Sequence, residues 1–300
     1  MQHRKRIEHV VDHSTVDAWS DAFALLEFNR YEGQAVRGFL EEMEHLIEHR
    51  DDVDLLRSGF TVDPRTGRQW PDDRQKRRLY SSTKIYFDTY YSALSHLSSV
   101  VARFSKIFGG VAYTENKPFL TWLEKYHADL PAHFNVGSLV FHELESARRF
   151  RALLNHPQQF SPPDWSTETR PFYDVVHIVM HGAQSRTGKI PPGSRRDMIP
   201  PFVEADWRMD APDEVSVTNC LTNVAAPILS AVLAQRRPDA AFVNADSRKA
   251  ASDATVLTGG RRLRPGSNIS TPQPVKPTAR DVHVVRGEVA SWLKSRGGTW

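Results

Sequence analysis

Cysteine is almost absent from this 300-residue chain: Cys220 stands alone, so no intramolecular disulfide and no thiolate cluster for zinc or iron–sulfur can form. That usage fits a reducing compartment, and a cytoplasmic location is expected. Long apolar runs are missing too. None approaches the 18 or more residues of a membrane helix, and the opening MQHRKRIEHVV has charge without the apolar core of a signal peptide, so no membrane contact is expected. Nor does one sign of charge dominate: 39 Lys and Arg against 36 Asp and Glu give +3, too little to demand a nucleic-acid partner and no obstacle to contact with phosphate. No internal repeat is found. What is present is ordinary for a globular protein, 40% hydrophobic and 25% charged, which excludes a fibrous or wholly disordered chain. The length gives room for one large domain with extensions, or two domains, around a buried core.

Apolar residues from Val16 to about His49, among them Trp19, Phe23, Leu26, Phe39, Met43, Leu46 and Ile47, recur at three- and four-residue steps. The spacing predicts one long helix, bent near Gly33 and Gly38. Residues 50 to 80, with DPRTGRQWPDD, lack periodicity and predict a long exposed connection. Helical spacing returns in KIYFDTYYSALSHLSSVVARFSKIFGG, where Phe87, Leu94, Val101 and Phe108 lie seven apart and Gly109 and Gly110 stop the run. Pro118 to His127 predicts a third helix, and Val136 to Asn155 a fourth, capped by Asn135 and closed by Pro157. Helices in such succession predict an α-helical bundle over residues 1–156.

After His156 the texture changes. PQQFSPPDW reads as a connector, DVVHIVMH as a strand, and the stretch through GKIPPGS and VEADWRM as a hairpin or edge strand. Asp213 caps a further helix through Val217, Leu221, Val224, Ile228 and Val232, with a bend at Pro227. Residues 157–245 therefore form a small hairpin plus a helix packing on the bundle. Residues 246–300 form a flexible tail with a short terminal helix through Val285, Val289, Trp292 and Leu293.

Three motif matches fail on their chemistry. HLIEH, His45 to His49, has the form of an inverted zinc-peptidase motif but lacks a third ligand and sits in an acidic, polar helix end. GAQSRTGKI, residues 182 to 190, has five residues between its glycines where a phosphate loop has four. Ile190 and two prolines follow its lysine in place of a magnesium-binding hydroxyl and a helix, so a hairpin turn is expected there. His177 and His181 share a strand face but no third ligand accompanies them, and a structural role is expected. No cofactor and no metal site are expected.

The remaining constellation is RALLNHP, Arg151 to Pro157, an R-x4-H spacing at a helix end. The spacing alone is common; Arg4 and His9 satisfy it as well. Placement distinguishes Arg151, because at about 100° per residue it falls within the stripe of Val140, Leu144, Ala147 and Leu154. A guanidinium in an apolar seam implies an internal carboxylate, an interface or an anionic ligand. One reading pairs it with Glu143 or Glu145 in an ordinary bundle, with His156 merely ending the helix. The other joins Arg151 and His156 at a phosphodiester, with the arginine holding phosphate and the histidine moving a proton near neutral pH.

At FRALLNHP the chain resembles the HEPN superfamily, whose signature is R-x4-6-H at the end of a helix in an α-helical bundle, often followed by proline. The resemblance covers about residues 80–156. Two positions depart from it: Ala152 follows the arginine where Asn, Asp or His is frequent, and Gln158 stands where antitoxin-paired relatives often carry tyrosine. The resemblance implies a HEPN-like helical bundle; with the segments read after His156, the expected fold is mainly α, with a small β-containing insertion and a flexible C-terminal tail. It further implies a metal-independent endoribonuclease, toxin or defence related, acting as a homodimer on RNA, with Arg151 and His156 catalytic and Asn155 orienting substrate. The alternative is a non-catalytic helical scaffold or binding module built on the same face. No protein partner is indicated.

Overall fold

The computed structural model describes residues 11–65, 67–110, 115–132, 135–155, 164–169, 175–184, 188–196 and 207–236. It is mostly helical, with two small antiparallel sheets. The first helical stretch is divided. Helix α1 spans His13–Ala24 and α2 spans Arg30–Ser58. The expected bend at Gly33 and Gly38 is not where the chain breaks; both glycines lie inside α2. The break falls just before Asn29, whose side chain accepts from the Tyr31 and Glu32 N–H groups at 3.0 Å while Glu32 returns to the Asn29 N–H. That reciprocal cap satisfies N–H groups that the start of a new helix leaves without intrahelical partners, so the chain can break here although the apolar period runs across the break. Gly38 serves packing instead, since a Cβ there would lie 2.7 Å from His96 Nδ1.

The long connection expected over residues 50 to 80 is not present either. Buried Val53 and Arg57 carry α2 on to Ser58. Strands β1 (Thr61–Val62) and β2 (Gln69–Trp70) form a tight antiparallel hairpin, and α3 (Asp73–Arg103) starts from a second capping box, Asp72 with Gln75. Helices α2 and α3 are antiparallel: Gly38 meets His96 at one end, and Gln75 Nε2 donates to the Gly59 carbonyl at 3.1 Å at the other. The face of α3 with Leu79, Phe87, Leu94 and Val101 is fully buried, as its spacing predicted.

A single turn, α4 (Ser105–Phe108), ends at Gly109 in the left-handed region, φ +83°. Helices α5 (Asn116–Ala128) and α6 (Ser138–Asn155) follow. The larger sheet takes the order β3 (Asp164–Thr169), β4 (Val176–Gly182), β5 (Trp207–Asp210), all antiparallel. Strand β4 is the expected one. Strand β3 falls partly in the expected proline-rich connector and is held by register to β4 and by Trp165, stacked on Tyr80 of α3 at 4.7 Å.

Asp213 caps α7 (Glu214–Arg236) as expected, accepting from the Ser216 N–H at 2.9 Å. By length and composition α7 could cross a membrane. Here it is the core helix of the bundle, buried on opposite sides through Val215 and Leu233 as well as Val224 and Ala231. The helices and the larger sheet share one hydrophobic core that runs from Trp19 through Phe87 and Phe150 to Trp207 and Ile228. Through that core passes a buried ion pair. Arg57 reaches both Glu214 oxygens at 2.9 Å and donates from Nε to the Val176 carbonyl at 2.8 Å, while Tyr86 donates to the Glu214 carbonyl at 2.7 Å. Burial works against the Arg57 charge, but Glu214 more than offsets it and holds the guanidinium above its ordinary pKa. The expected tail over residues 246–300, with its linker and terminal helix, lies outside the described residues.

Candidate functional site

The site assembles where α6 runs antiparallel to α3. Phe87 packs on Phe150 with ring centres 5.0 Å apart, and Tyr90 donates to the Leu144 carbonyl at 2.7 Å. These contacts fix the register, which brings Arg151 and Asn155 opposite Asp88. Arg151 Nε donates to Asp88 Oδ1 at 2.8 Å and Asn155 Nδ2 to the same oxygen at 2.5 Å. The guanidinium carbon lies 4.3 Å from the centre of the Tyr91 ring, a cation–π contact. Tyr91 is in turn held by Asn116 of α5, whose Nδ2 donates to the Tyr91 carbonyl at 3.0 Å.

Two expectations are corrected here. Arg151 does not sit at the centre of the apolar stripe. The buried face of α6 is Phe141, Leu144, Ala147, Phe150, Leu153 and Leu154, and the Arg151 side chain, 25% exposed, lies at its margin beside a 37% exposed Asp88. Nor is its carboxylate Glu143 or Glu145. Glu145 is taken by Arg148, at 2.6 and 2.8 Å, and by Arg149 at 2.8 Å. Although burial pushes the Glu145 carboxyl up, these two arginines hold it below the usual range. The partner of Arg151 comes from α3, 63 residues earlier. Sequence reasoning missed Asp88 and Tyr91. A signal existed, since Asp88 is the only acid between Lys84 and Lys106.

Among the described residues Nε is the Arg151 atom that donates a hydrogen bond, so the two terminal nitrogens form a fork with no hydrogen-bond partner there. Such a fork matches two oxygens of a phosphate or carboxylate. His156 lies outside the described residues, as do Pro157, Gln158, Arg4 and His9. The structure therefore brings together Arg151 and Asn155, around Asp88.

The discarded motifs have ordinary surroundings. In HLIEH, His45 and Glu48 are exposed and His49 Nδ1 lies 3.9 Å from Asp52. After Lys189 no helix begins; residues 188–196 are irregular, with Ser194 N–H closing a turn onto the Pro191 carbonyl. The tight hairpin turn expected there is replaced by a longer excursion, from which Arg195 pairs back to Arg208 of β5. His177 is buried and bonded through Nε2 to Asp210 Oδ1 at 3.2 Å, whereas His181 is half-buried farther along β4. Among the described residues no three His, Cys, Asp or Glu side chains are grouped to hold a metal ion. Burial, with the Glu143 charge nearby, pushes the Cys220 thiol up to about 11, which makes it a poor nucleophile. Compared with family models, curated proteins and solved structures, the chain has no match.

Proposed function

We propose that this chain is a metal-independent endoribonuclease of the HEPN type, working in the cytoplasm as a homodimer. One observation carries the reading: the Arg151 guanidinium is locked from behind by Asp88 and from its face by Tyr91, with its terminal nitrogens left for a phosphate. A cation so fixed loses little freedom when it binds and is preorganised for the charge that builds on a pentacoordinate phosphorus. His156 follows directly on Asn155, the last residue of α6, and its imidazole takes the proton of the RNA 2′-hydroxyl. The 2′-oxygen then bonds to phosphorus as the bond to the 5′-oxygen breaks. That oxygen leaves with a proton from water, giving a 2′,3′-cyclic phosphate and a 5′-hydroxyl end, and His156 returns its proton to the solvent. Asn155 and Asp88 keep Arg151 in line.

A second reading is favoured by the same ion pair. An arginine already matched by a carboxylate serves equally as a strut in a non-catalytic scaffold whose α3–α6 face receives a partner. Cleavage of a mixed RNA pool in EDTA separates the two, with folding followed by circular dichroism. Wild type is expected to cut and to leave cyclic phosphate ends, and Arg151→Ala and His156→Ala to lose roughly 10²–10⁴-fold in rate with unchanged spectra. Absence of cutting by wild type, together with a lower melting temperature or weaker self-association of Arg151→Ala, establishes the scaffold instead.

A further inference from the structure

A groove of about 620 Å³ runs between the C-terminal end of α2 and the N-terminal half of α3. Arg74, Arg77 and Arg78 of α3 line it, with Ser81 and Ser82 beyond them. All three arginines are exposed, and among the described residues none is engaged by a carboxylate. The closest acids in sequence have other duties. Asp72 caps α3 through the Gln75 N–H, and Asp73 pairs with Lys76 at 3.2 Å. Asp52 on the opposite wall stands near His49. Three adjacent guanidiniums face one carboxylate, Asp52, across the groove, and a polyanion offsets the positive charge left in excess.

Two further observations narrow the polyanion. Trp70 of β2 stands 73% exposed two residues ahead of the α3 cap and offers an open aromatic face there. Free guanidiniums for a backbone beside an open ring for a base are the combination that takes up single-stranded nucleic acid; a duplex keeps its base faces stacked and offers nothing to the ring. Helix geometry gives the direction. From Arg77 to Asp88 is a rotation within about 20° of three full turns and a rise of about 16 Å, so both lie on one line along α3, with Ser81 and Lys84 between them. That line ends at the carboxylate that holds Arg151.

We propose that this groove is the entry site for single-stranded RNA, with the backbone on Arg74, Arg77 and Arg78, a base stacked on Trp70, and the strand led along α3 to Arg151. It rests on the ribonuclease reading above and names the substrate class of that site as single-stranded. The test is fluorescence anisotropy of a labelled 2′-O-methyl RNA of about 12 nucleotides, titrated with the full chain between about 50 and 200 mM salt. Its blocked 2′-oxygen prevents cutting, so binding is read apart from catalysis.

The triple variant Arg74→Ala/Arg77→Ala/Arg78→Ala weakens binding by at least about tenfold and flattens the log–log salt slope by about 2, at about 0.7 for each single-strand phosphate no longer neutralised. The triple lysine variant keeps the slope, which guards against misfolding. Trp70→Ala weakens binding with the slope unchanged. Affinity retained by the triple alanine variant overturns the proposal; so does a polyglutamate probe that binds as tightly as RNA and ignores Trp70→Ala, which assigns the groove to an acidic protein. If the groove binds RNA as described while wild type cuts none, the groove stands and the enzyme falls. If wild type cuts and the triple alanine variant matches it in KM, the enzyme stands and the groove falls.

Discussion

Two arginines in this chain meet carboxylates with opposite consequences. Arg57 and Glu214 are both almost wholly buried and joined by two parallel bonds of 2.9 Å. Removing Glu214 leaves the buried Arg57 with only the single 3.2 Å contact to the partly exposed Asp54, so Glu214→Ala is expected to lower stability by about 3 kcal/mol. Arg151 and Asp88 share a single bond at a quarter to a third exposure, and Asp88→Ala is expected to cost about 1 kcal/mol or less. Urea midpoints of the two variants measure the contrast, and equal midpoints would refute it. The first pair spends its bonding capacity on the fold, and the second holds capacity back.

At the scale of the element, helices with a periodic apolar pattern were legible: α3, α5 and α6 follow their spacing because burial of one face stabilises them, and α7 follows it although nearly its whole circumference is buried. The break between α1 and α2 was hidden because the apolar period continues across it, and the signal was polar, the Asn29–Glu32 box. Strand β3 was hidden because it begins at the end of the proline-rich PQQFSPPDW run, although Trp165, Thr167 and Thr169 alternate in a strand-favouring pattern that pairing with β4 realises. The helix end carrying Arg151 and Asn155 was legible as a local motif, but their contact with Asp88 joins distant parts of the chain and leaves no local trace.

The β3–β4–β5 sheet carries its own electrostatic device. Asp210 receives His177 at 3.2 Å, Arg208 at 2.7 Å and Arg195 at 3.1 Å. Partial burial pushes its carboxyl up, but the bonds and charges of His177 and Arg208 prevail and hold it well below the usual aspartate range. With the folded value depressed, the stabilisation is complete above the unfolded aspartate value of about 3.9 and fades as pH falls below it. Asp210→Asn is therefore expected to be less stable than wild type at pH 7, with the gap closing as pH drops below about 4. Urea midpoints across that range give the answer; a gap independent of pH counts against it.

On the scale of the whole molecule, α7 holds the bundle together from inside. His127 of α5 meets the Val224 carbonyl at 3.1 Å, Tyr86 of α3 meets Thr218 at 2.9 Å, and Arg57 of α2 meets Glu214. A chain cut at residue 206 keeps the surrounding helices but none of these anchors. It is expected to retain helical far-UV dichroism while losing near-UV signal and binding ANS; a sharp near-UV spectrum would show that the outer helices close without α7.

The position of α7 also sets a clock. About 60 residues separate the end of α6 from the start of α7, and at ~5–20 residues per second the ribosome needs roughly 3–12 s to supply them. For that interval the nascent bundle has an empty axis, with the apolar faces of α2, α3 and α6 open to water and to chaperones. Slow synonymous codons across residues 156–213 are thus expected to lower the soluble yield, a change made without altering a single amino acid and read from the soluble fraction of synonymous variants.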